Sequence, residues 1–325
     1  MNHPVESSSA GEWRDVQSSL PWVASFNKCI REESLPRLNG REIIIASDAS
    51  GQHRQNPFEV LGILILDFDA SLQFEVQRQV IRKGILKDSR RLSFKKLDEP
   101  VRKRALVPFL LAADTIPGLC LCVAVNKRLT MLGGGPGFFE ALRQNSILKA
   151  SWTFESFERM SRTAHFISLL IAGLCCEGQN VFWISDEDEM FESPVKSEDT
   201  LRVLSTYFQM YVKWAMGNLR VGTTKLDEGD RFEEDFAAIA DIAAGALGEL
   251  VMRVQKEAGE GITEAIAAGL ATDVTGKSDL LLSWLADNSH ALKRASLVFD
   301  RRKDGKFCIT RIGSKRDIEP LDTTR

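Results

Sequence analysis

Residues 41 to 51 read REIIIASDASG, an apolar run that ends in a carboxylate and small residues. Ile43 to Ala46 are apolar or small, as expected for a strand that is buried on both faces, and Ser47 and Asp48 follow directly. The small residues Ala49 to Gly51 then favour a turn. The pattern predicts a core strand that carries a carboxylate to its end, which calls for a functional or structural reason.

The chain after this strand alternates between predicted strands and helices. Predicted strands lie at Phe58 to Phe68, Gly118 to Leu129, Asn180 to Ser185 and Asn218 to Leu226. Predicted helices lie at 71–85, 98–115, Thr153 to Cys176, 197–215 and Arg231 to Val254. A polar loop between the first two strands predicts an antiparallel hairpin. Three early strands followed by alternating strands and helices predict an α/β fold, with a mixed sheet flanked by helices.

Changes in composition divide the chain into three predicted parts. Residues 1–40 form an N-terminal extension, in which LPWVASFNKCI reads either as a short helix or as a strap. Residues 41–258 form the α/β domain. Residues 259–325 form a C-terminal extension with a helix and a β-hairpin that turns at Asp304 and Gly305. This extension is either an appended subdomain or a continuation of the same sheet.

Composition limits the class of protein. With 325 residues, 44% of them hydrophobic, the chain can bury a large core, and its net charge of −3 excludes a uniformly basic protein. The N-terminus lacks a signal-peptide pattern and no apolar run reaches the roughly 20 residues that span a bilayer, which predicts a cytoplasmic protein without a membrane partner. Six cysteines without a CxxC pair indicate neither zinc nor a disulfide framework.

Two further acids join Asp48 as candidate site residues. Asp186, with Glu187 next to it, follows the strand NVFWIS as Asp48 follows EIIIAS, so parallel central strands would bring both to one edge of the sheet. Asp241 is the only charged residue in FAAIADIAAGAL. Its helical neighbours are small, which lets this helix lie close to the sheet: Ala237, Ala238, Ala244 and Gly245.

The chemistry of such a cluster favours a divalent cation. A buried carboxylate without a partner costs several kcal/mol, and several carboxylates together repel one another. Hard oxygen ligands suit Mg²⁺ or Mn²⁺ rather than zinc. Two such ions roughly 4 Å apart activate water and stabilise the leaving oxygen in phosphodiester cleavage.

Each acid also has a simpler interpretation. Asp48 could brace the turn at Ser50 and Gly51. The run from Asp186 to Glu189 could be a solvated acidic loop. Asp241 could pair with an arginine such as Arg220. The joint arrangement is more specific than any of its parts.

The order of elements resembles a known fold. A strand that ends in Asp, antiparallel strands, a later strand that ends in Asp and a closing helix with an inward Asp is the plan of the ribonuclease H-like fold. More narrowly, residues 41–255 resemble the bacterial domain of unknown function 3800 family. Its members open with Asp-Glu-Ser-Gly and close with a Gln-Leu-Ala-Asp-like sequence followed by small residues. Here SDASG and AIADIAAGAL occupy these places.

The resemblance implies a metal-dependent nuclease in which Asp48, Asp186 and Asp241 bind Mg²⁺ or Mn²⁺. Two departures matter. Ala49 stands where the family has Glu after the first Asp, and Arg91 in RLSFKKL stands where the family has the acid of a Glu-X-Lys segment. Glu187, which we include among the candidate catalytic acids, or Asp88 could replace the lost carboxylate.

The lost carboxylate supports an alternative function. In this alternative, the chain is a catalytically degenerate ribonuclease H-like binding subunit of a larger nucleic-acid-associated assembly. A homo-oligomer is equally compatible with the composition.

A basic segment predicts the partner. Between Arg78 and Arg104 there are eleven Lys or Arg against three acids. We predict a nucleic-acid interface in which four cations contact phosphates: Arg90, Arg91, Lys95 and Lys96. Phe94 would stack on a base or anchor the loop. The alternative is a solvated basic helix pair.

Overall fold

β1 (Glu42–Ser50) lies at the centre of the computed structural model, which describes residues 11–51, 56–87, 90–130, 132–186, 189–227, 229–259, 262–267, 276–302 and 304–312. The other strands of the described residues are β2 (Phe58–Asp67), β3 (Gly118–Asn126), β4 (Asn180–Ser185), β5 (Leu219–Thr223), β6 (Leu292–Arg301) and β7 (Phe307–Ile312). They form one sheet in the order β5-β4-β1-β2-β3-β6-β7.

The sheet is mixed, as predicted. β2 is antiparallel to β1 and to β3, whereas β4 runs parallel to both β1 and β5. β6 is parallel to β3, and β7 returns antiparallel beside β6. The predicted C-terminal hairpin therefore continues the same sheet. The α/β fold with a mixed sheet flanked by helices is confirmed.

Helices cover both faces of the sheet. One face packs against α1 (Pro21–Arg31), α4 (Gly135–Gln144), α5 (Phe154–Leu174) and α6 (Pro194–Tyr211). The other face packs against α2 (Leu72–Ile81), α3 (Pro100–Ala113), α7 (Phe232–Ala258), α8 (Ile262–Ala267) and α9 (Lys277–Ala286). Among the described residues, no helix is both long enough and apolar enough to cross a membrane.

Alternation along β1 and β4 assigns each side chain to one of these faces. Ile43 and Ile45 pack on the α5 face, and Ile44 and Ala46 pack on the α7 face. Because successive strand residues point to opposite faces, Asp48 belongs to the α7 face. The same alternation, with Trp183 on the α5 face and Ile184 on the α7 face, assigns Asp186 to the α7 side.

Local sequence explains where several helices begin. Thr153 caps α5, since its hydroxyl oxygen accepts a 3.1 Å hydrogen bond from the Ser156 N–H. Ser193 caps α6 in the same way, with a 3.3 Å bond from the Lys196 N–H. α3 begins at Pro100, whose missing N–H is not needed in the first turn. The N-terminal LPWVASFNKCI segment, which was compatible with a helix or a strap, forms α1.

Candidate active site

Asp48 lies inside β1, two residues before the end of the strand. It stands opposite Gly62 of β2, and β1 continues to Ser50, so the turn starts later than the sequence pattern indicates. One Asp48 carboxyl oxygen accepts a 2.8 Å hydrogen bond from the N–H of Ala49. Asp48 therefore lies on a paired strand, on the side of the sheet that faces α7, and is not part of the turn.

Asp186 follows β4 directly and lies beside β1. The parallel register pairs Ser47 with Ser185, and the Asp186 N–H donates a 3.4 Å bond to the carbonyl of Ser47. The hydroxyl of buried Thr224 donates to the Asp186 carboxylate at 3.2 Å. The shared edge that the sequence predicts for Asp48 and Asp186 is therefore present.

α7 approaches β2 closely enough to bring Asp241 to this edge. A Cβ atom added to Gly62 would lie 2.3 Å from the carbonyl oxygen of Ala240 and 3.2 Å from the Cβ of Ala244. Because Gly62 has no side chain, the helix backbone rests directly over the position opposite Asp48. The next residue, Asp241, then forms a carboxyl to carboxyl hydrogen bond with Asp48.

Burial and neighbouring charges change the pKa of both carboxyls in this pair. Burial raises the pKa of Asp48 well above its ordinary value, and the charges of Asp241 and Asp186 raise it further. Burial also raises the pKa of Asp241, although the N–H of Phe94, the bond from Asp48 and the charge of Arg91 act in the opposite direction. Burial and the neighbouring acids thus favour the protonated form of Asp48.

Arg91 is a cation that forms an ion pair with one acid of this cluster. Its guanidinium forms an ion pair with Asp186 at 2.6 Å, and its side chain is 34% exposed. Burial lowers the pKa of Arg91, but Asp186, Glu234 and Asp48 together raise it above its ordinary value. Arg91 thus stands among the acids, at the place where the family resemblance predicts a carboxylate.

The backbone around Arg91 is held by three hydrogen bonds. The Arg90 carbonyl accepts from Arg82 at 2.6 Å, and the Arg91 carbonyl accepts from buried Arg102 at 2.7 Å. The Phe94 N–H donates to Asp241 at 2.7 Å. We call residues 90–94 the strap, because it ties α3 and the segment after α2 to the acidic cluster.

Several cations of the basic segment have internal partners. Arg78 is 1% exposed and forms ion pairs with Glu75, Asp230 and Asp235. Arg82 also pairs with Asp235. The four cations predicted to form one nucleic-acid interface therefore differ in their exposure and partners: Arg90, Arg91, Lys95 and Lys96. Lys95 and Lys96 are exposed, whereas Arg91 points to Asp186 and Arg90 is half-buried.

Glu234 is an acid of this region that sequence reasoning missed. It lies on α7 seven residues before Asp241, which is about two helical turns, so both project from the same helix face. Its side chain is 9% exposed, and one oxygen accepts from Arg231. Its other oxygen, Oε2, is buried without a hydrogen-bond partner among the described residues. The spacing to Asp241 is the sequence signal that could have identified it.

The remaining residues named in the sequence analysis have separate outcomes. Glu187 and Asp88 lie outside the described residues. Arg220 lines a separate cleft with Glu42 and Asn180, whereas Asp241 contacts Asp48 and Phe94.

Among the residues that the structure describes, no three His, Cys, Asp or Glu side chains are grouped as ligands of one ion. Comparison with protein-family models and with curated proteins finds no match to this chain. The structure thus shows an α/β protein with a mixed sheet flanked by helices, and the ribonuclease H-like and family resemblances stay predictions.

Proposed function

We propose that this protein is a divalent-cation-dependent nuclease. The observation that supports this proposal is the buried Asp48 and Asp241 pair, two carboxyls in direct contact beside a third acid, Asp186. Such a pair opposes folding unless a positive charge joins it, and Arg91 makes its ion pair with Asp186 instead. A cation bound by the pair would compensate the repulsion between the two carboxylates.

The donor atoms fit Mg²⁺ or Mn²⁺. Asp48 and Asp241 offer hard carboxylate oxygens, and neither sulfur nor imidazole is needed. Each retains its orientation through one backbone donor, the Ala49 N–H for Asp48 and the Phe94 N–H for Asp241. Asp186 has its own contacts with Arg91 and Thr224, so its role as a third ligand stays a prediction from the sequence. When bound, the cation supplies Lewis-acid stabilisation of a phosphodiester oxygen and an activated water.

A groove beside the acids supports a nucleic-acid substrate. It has a volume of about 670 Å³ and follows α7 from Gly245, one turn after Asp241. Its lining includes the apolar Phe58, Val60 and Phe94 together with Lys95 and Lys256. Because Phe58, Val60 and Phe94 are at most 8% exposed, the support for a nucleic-acid partner comes from the two lysines, which would contact phosphates.

Asp241→Asn tests the catalytic part of the proposal. Asparagine keeps an acceptor for the Phe94 N–H but loses the charge that would hold the cation. We expect Mn²⁺-dependent cleavage of labelled DNA and RNA, both single-stranded and duplex, to fall more than about 100-fold, the upper loss for a residue that only orients a metal ligand. The matched control is Asp98→Asn, an exposed acid paired with Lys277, which should leave cleavage unchanged. Equal loss in both variants would contradict the assignment.

Replacing Lys95 and Lys256 by Ala together tests the groove. Each phosphate contact on a single strand contributes about 0.7 to the slope of log affinity against log salt, so we expect the slope to decrease by about 1.4. Fluorescence anisotropy with a labelled oligonucleotide measures this change. The control replaces Lys83 and Lys87, exposed lysines of the same basic segment outside the groove. A larger effect of the control pair would move the interface to that surface.

The Arg91 to Asp186 ion pair favours a second function. A guanidinium inside the acidic cluster neutralises one carboxylate permanently, which suits a ribonuclease H-like subunit that binds nucleic acid without cleaving it. In that case, the groove would bind oligonucleotide while the protein shows no Mn²⁺-dependent cleavage. The two measurements above separate the functions.

A further inference from the structure

Arg91 contacts the acidic cluster through Asp186. Its ion pair is to Asp186 at 2.6 Å, and Glu234 is the next acid whose charge acts on it. Glu234 is nine-tenths buried, and its Oε2 has no hydrogen-bond partner among the described residues. The cluster therefore consists of the adjacent acids Asp48 and Asp241 and of a third acid, Asp186, whose ion pair is with the Arg91 guanidinium.

The strap keeps this guanidinium in place. Buried Arg102 binds the carbonyl of Arg91, while the Phe94 N–H binds Asp241 itself. The Phe94 ring also fills the space over Gly245, because a Cβ atom there would lie 2.1 Å from Phe94 Cγ. The position of Arg91 is thus built into the same hydrogen-bond network as the site.

We propose that Arg91 is a built-in second cation, which holds Asp186 while a single divalent ion binds at Asp48 and Asp241. This inference rests on the proposed function, because it assumes that the protein binds an ion there. Phosphodiester cleavage by two ions requires positive charge at both the attacking and the leaving oxygen. In this chain, the Arg91 guanidinium supplies one of these charges as a permanent part of the protein.

The number of bound ions tests the inference without any measurement of activity. Titration calorimetry with MnCl₂ should give one ion per chain for the parent protein and two for Arg91→Gln, in which Asp186 is released from its ion pair and the Glu234 Oε2 is still without a partner among the described residues. Adding Glu234→Gln to Arg91→Gln should return the number to one. Arg91→Lys keeps the charge and should bind one ion. Arg104→Gln, at an exposed arginine of α3, is the control for loss of positive charge and should also bind one.

The outcomes separate this inference from the proposed function. Two ions in the parent, or one in Arg91→Gln with unchanged affinity, would overturn the role of Arg91 and leave the nuclease proposal intact. Absence of Mn²⁺ binding from both proteins would overturn both proposals. Melting curves of each variant without metal establish that the proteins compared are folded, and Arg91→Lys provides a charge-retaining protein if Arg91→Gln does not fold.

Discussion

Asp48→Asn is expected to make the metal-free protein more stable than its parent. The amide of the new asparagine can donate to Asp241 in place of the Asp48 proton, and its oxygen can still accept from the Ala49 N–H. The variant therefore keeps both hydrogen bonds and loses only the repulsion. The gain should be about 1.4 kcal/mol for each unit by which the fold raises the pKa of Asp48.

The pH dependence of this gain has a defined sign. Because the pKa of Asp48 is raised in the folded state, folding takes up a proton and the parent loses stability as pH rises above the unfolded value of about 3.9. This loss continues until pH passes the raised pKa. The stability difference between variant and parent should therefore be small near pH 4 and grow as pH rises, which urea unfolding at several pH values measures.

Asp199→Asn is the matched control for this prediction. Asp199 is fully buried and accepts hydrogen bonds from the N–H groups of Lys149 and Ala150 and from the Trp152 indole. Asparagine cannot accept all of these with equal strength, so we expect a loss of about 1.5 to 3 kcal/mol, the range for hydrogen bonds to a charged group. If Asp48→Asn were destabilised like Asp199→Asn, Asp48 would be a structural acid.

Gly62→Ala is expected to have the largest effect on the fold. The new methyl group would lie 2.3 Å from the Ala240 carbonyl oxygen, and no rotation of a side chain relieves a clash with helix backbone. α7 must move away from β2, which should cost about 3 kcal/mol. The same movement carries Asp241 away from Asp48, so Mn²⁺-dependent cleavage should decrease as well.

Gly248→Ala separates this effect from a general sensitivity of α7. The nearest atom to its added Cβ is a Val60 methyl carbon at 3.6 Å, an ordinary contact. Alanine is also the better helix former, by about 1 kcal/mol. Chemical unfolding should therefore show Gly248→Ala unchanged or more stable, and Gly62→Ala much less stable. Similar losses in both variants would contradict the close approach of α7 at Gly62.

Much of the site could be predicted because it depends on local patterns. The apolar run before Asp48 identifies a buried strand, and its alternation determines which face the carboxylate joins. The isolated charge of Asp241 among small residues indicates a helix packed closely on a sheet. The position of Asp186 follows from the same logic as that of Asp48, since parallel strands end at one edge.

The partners of the arginines could not be predicted in this way. Arg78 and Arg82 are more than 150 residues from Asp235 in sequence, and only the packing of α7 against α2 brings them together. A basic run therefore resembles a nucleic-acid surface until its internal ion pairs are known. Glu234 is hidden for another reason, because an acid in the first turn of a helix is expected from the helix dipole alone.

The most direct test of the proposed cation site is a crystal structure determined after soaking with Mn²⁺, with anomalous diffraction to locate the ion. We predict an anomalous peak at a distance of about 2 to 2.6 Å from carboxylate oxygens of both Asp48 and Asp241, and its loss in Asp48→Asn. A soaked crystal in which these two carboxyls keep their direct hydrogen bond and no ion lies between them would contradict the proposed site.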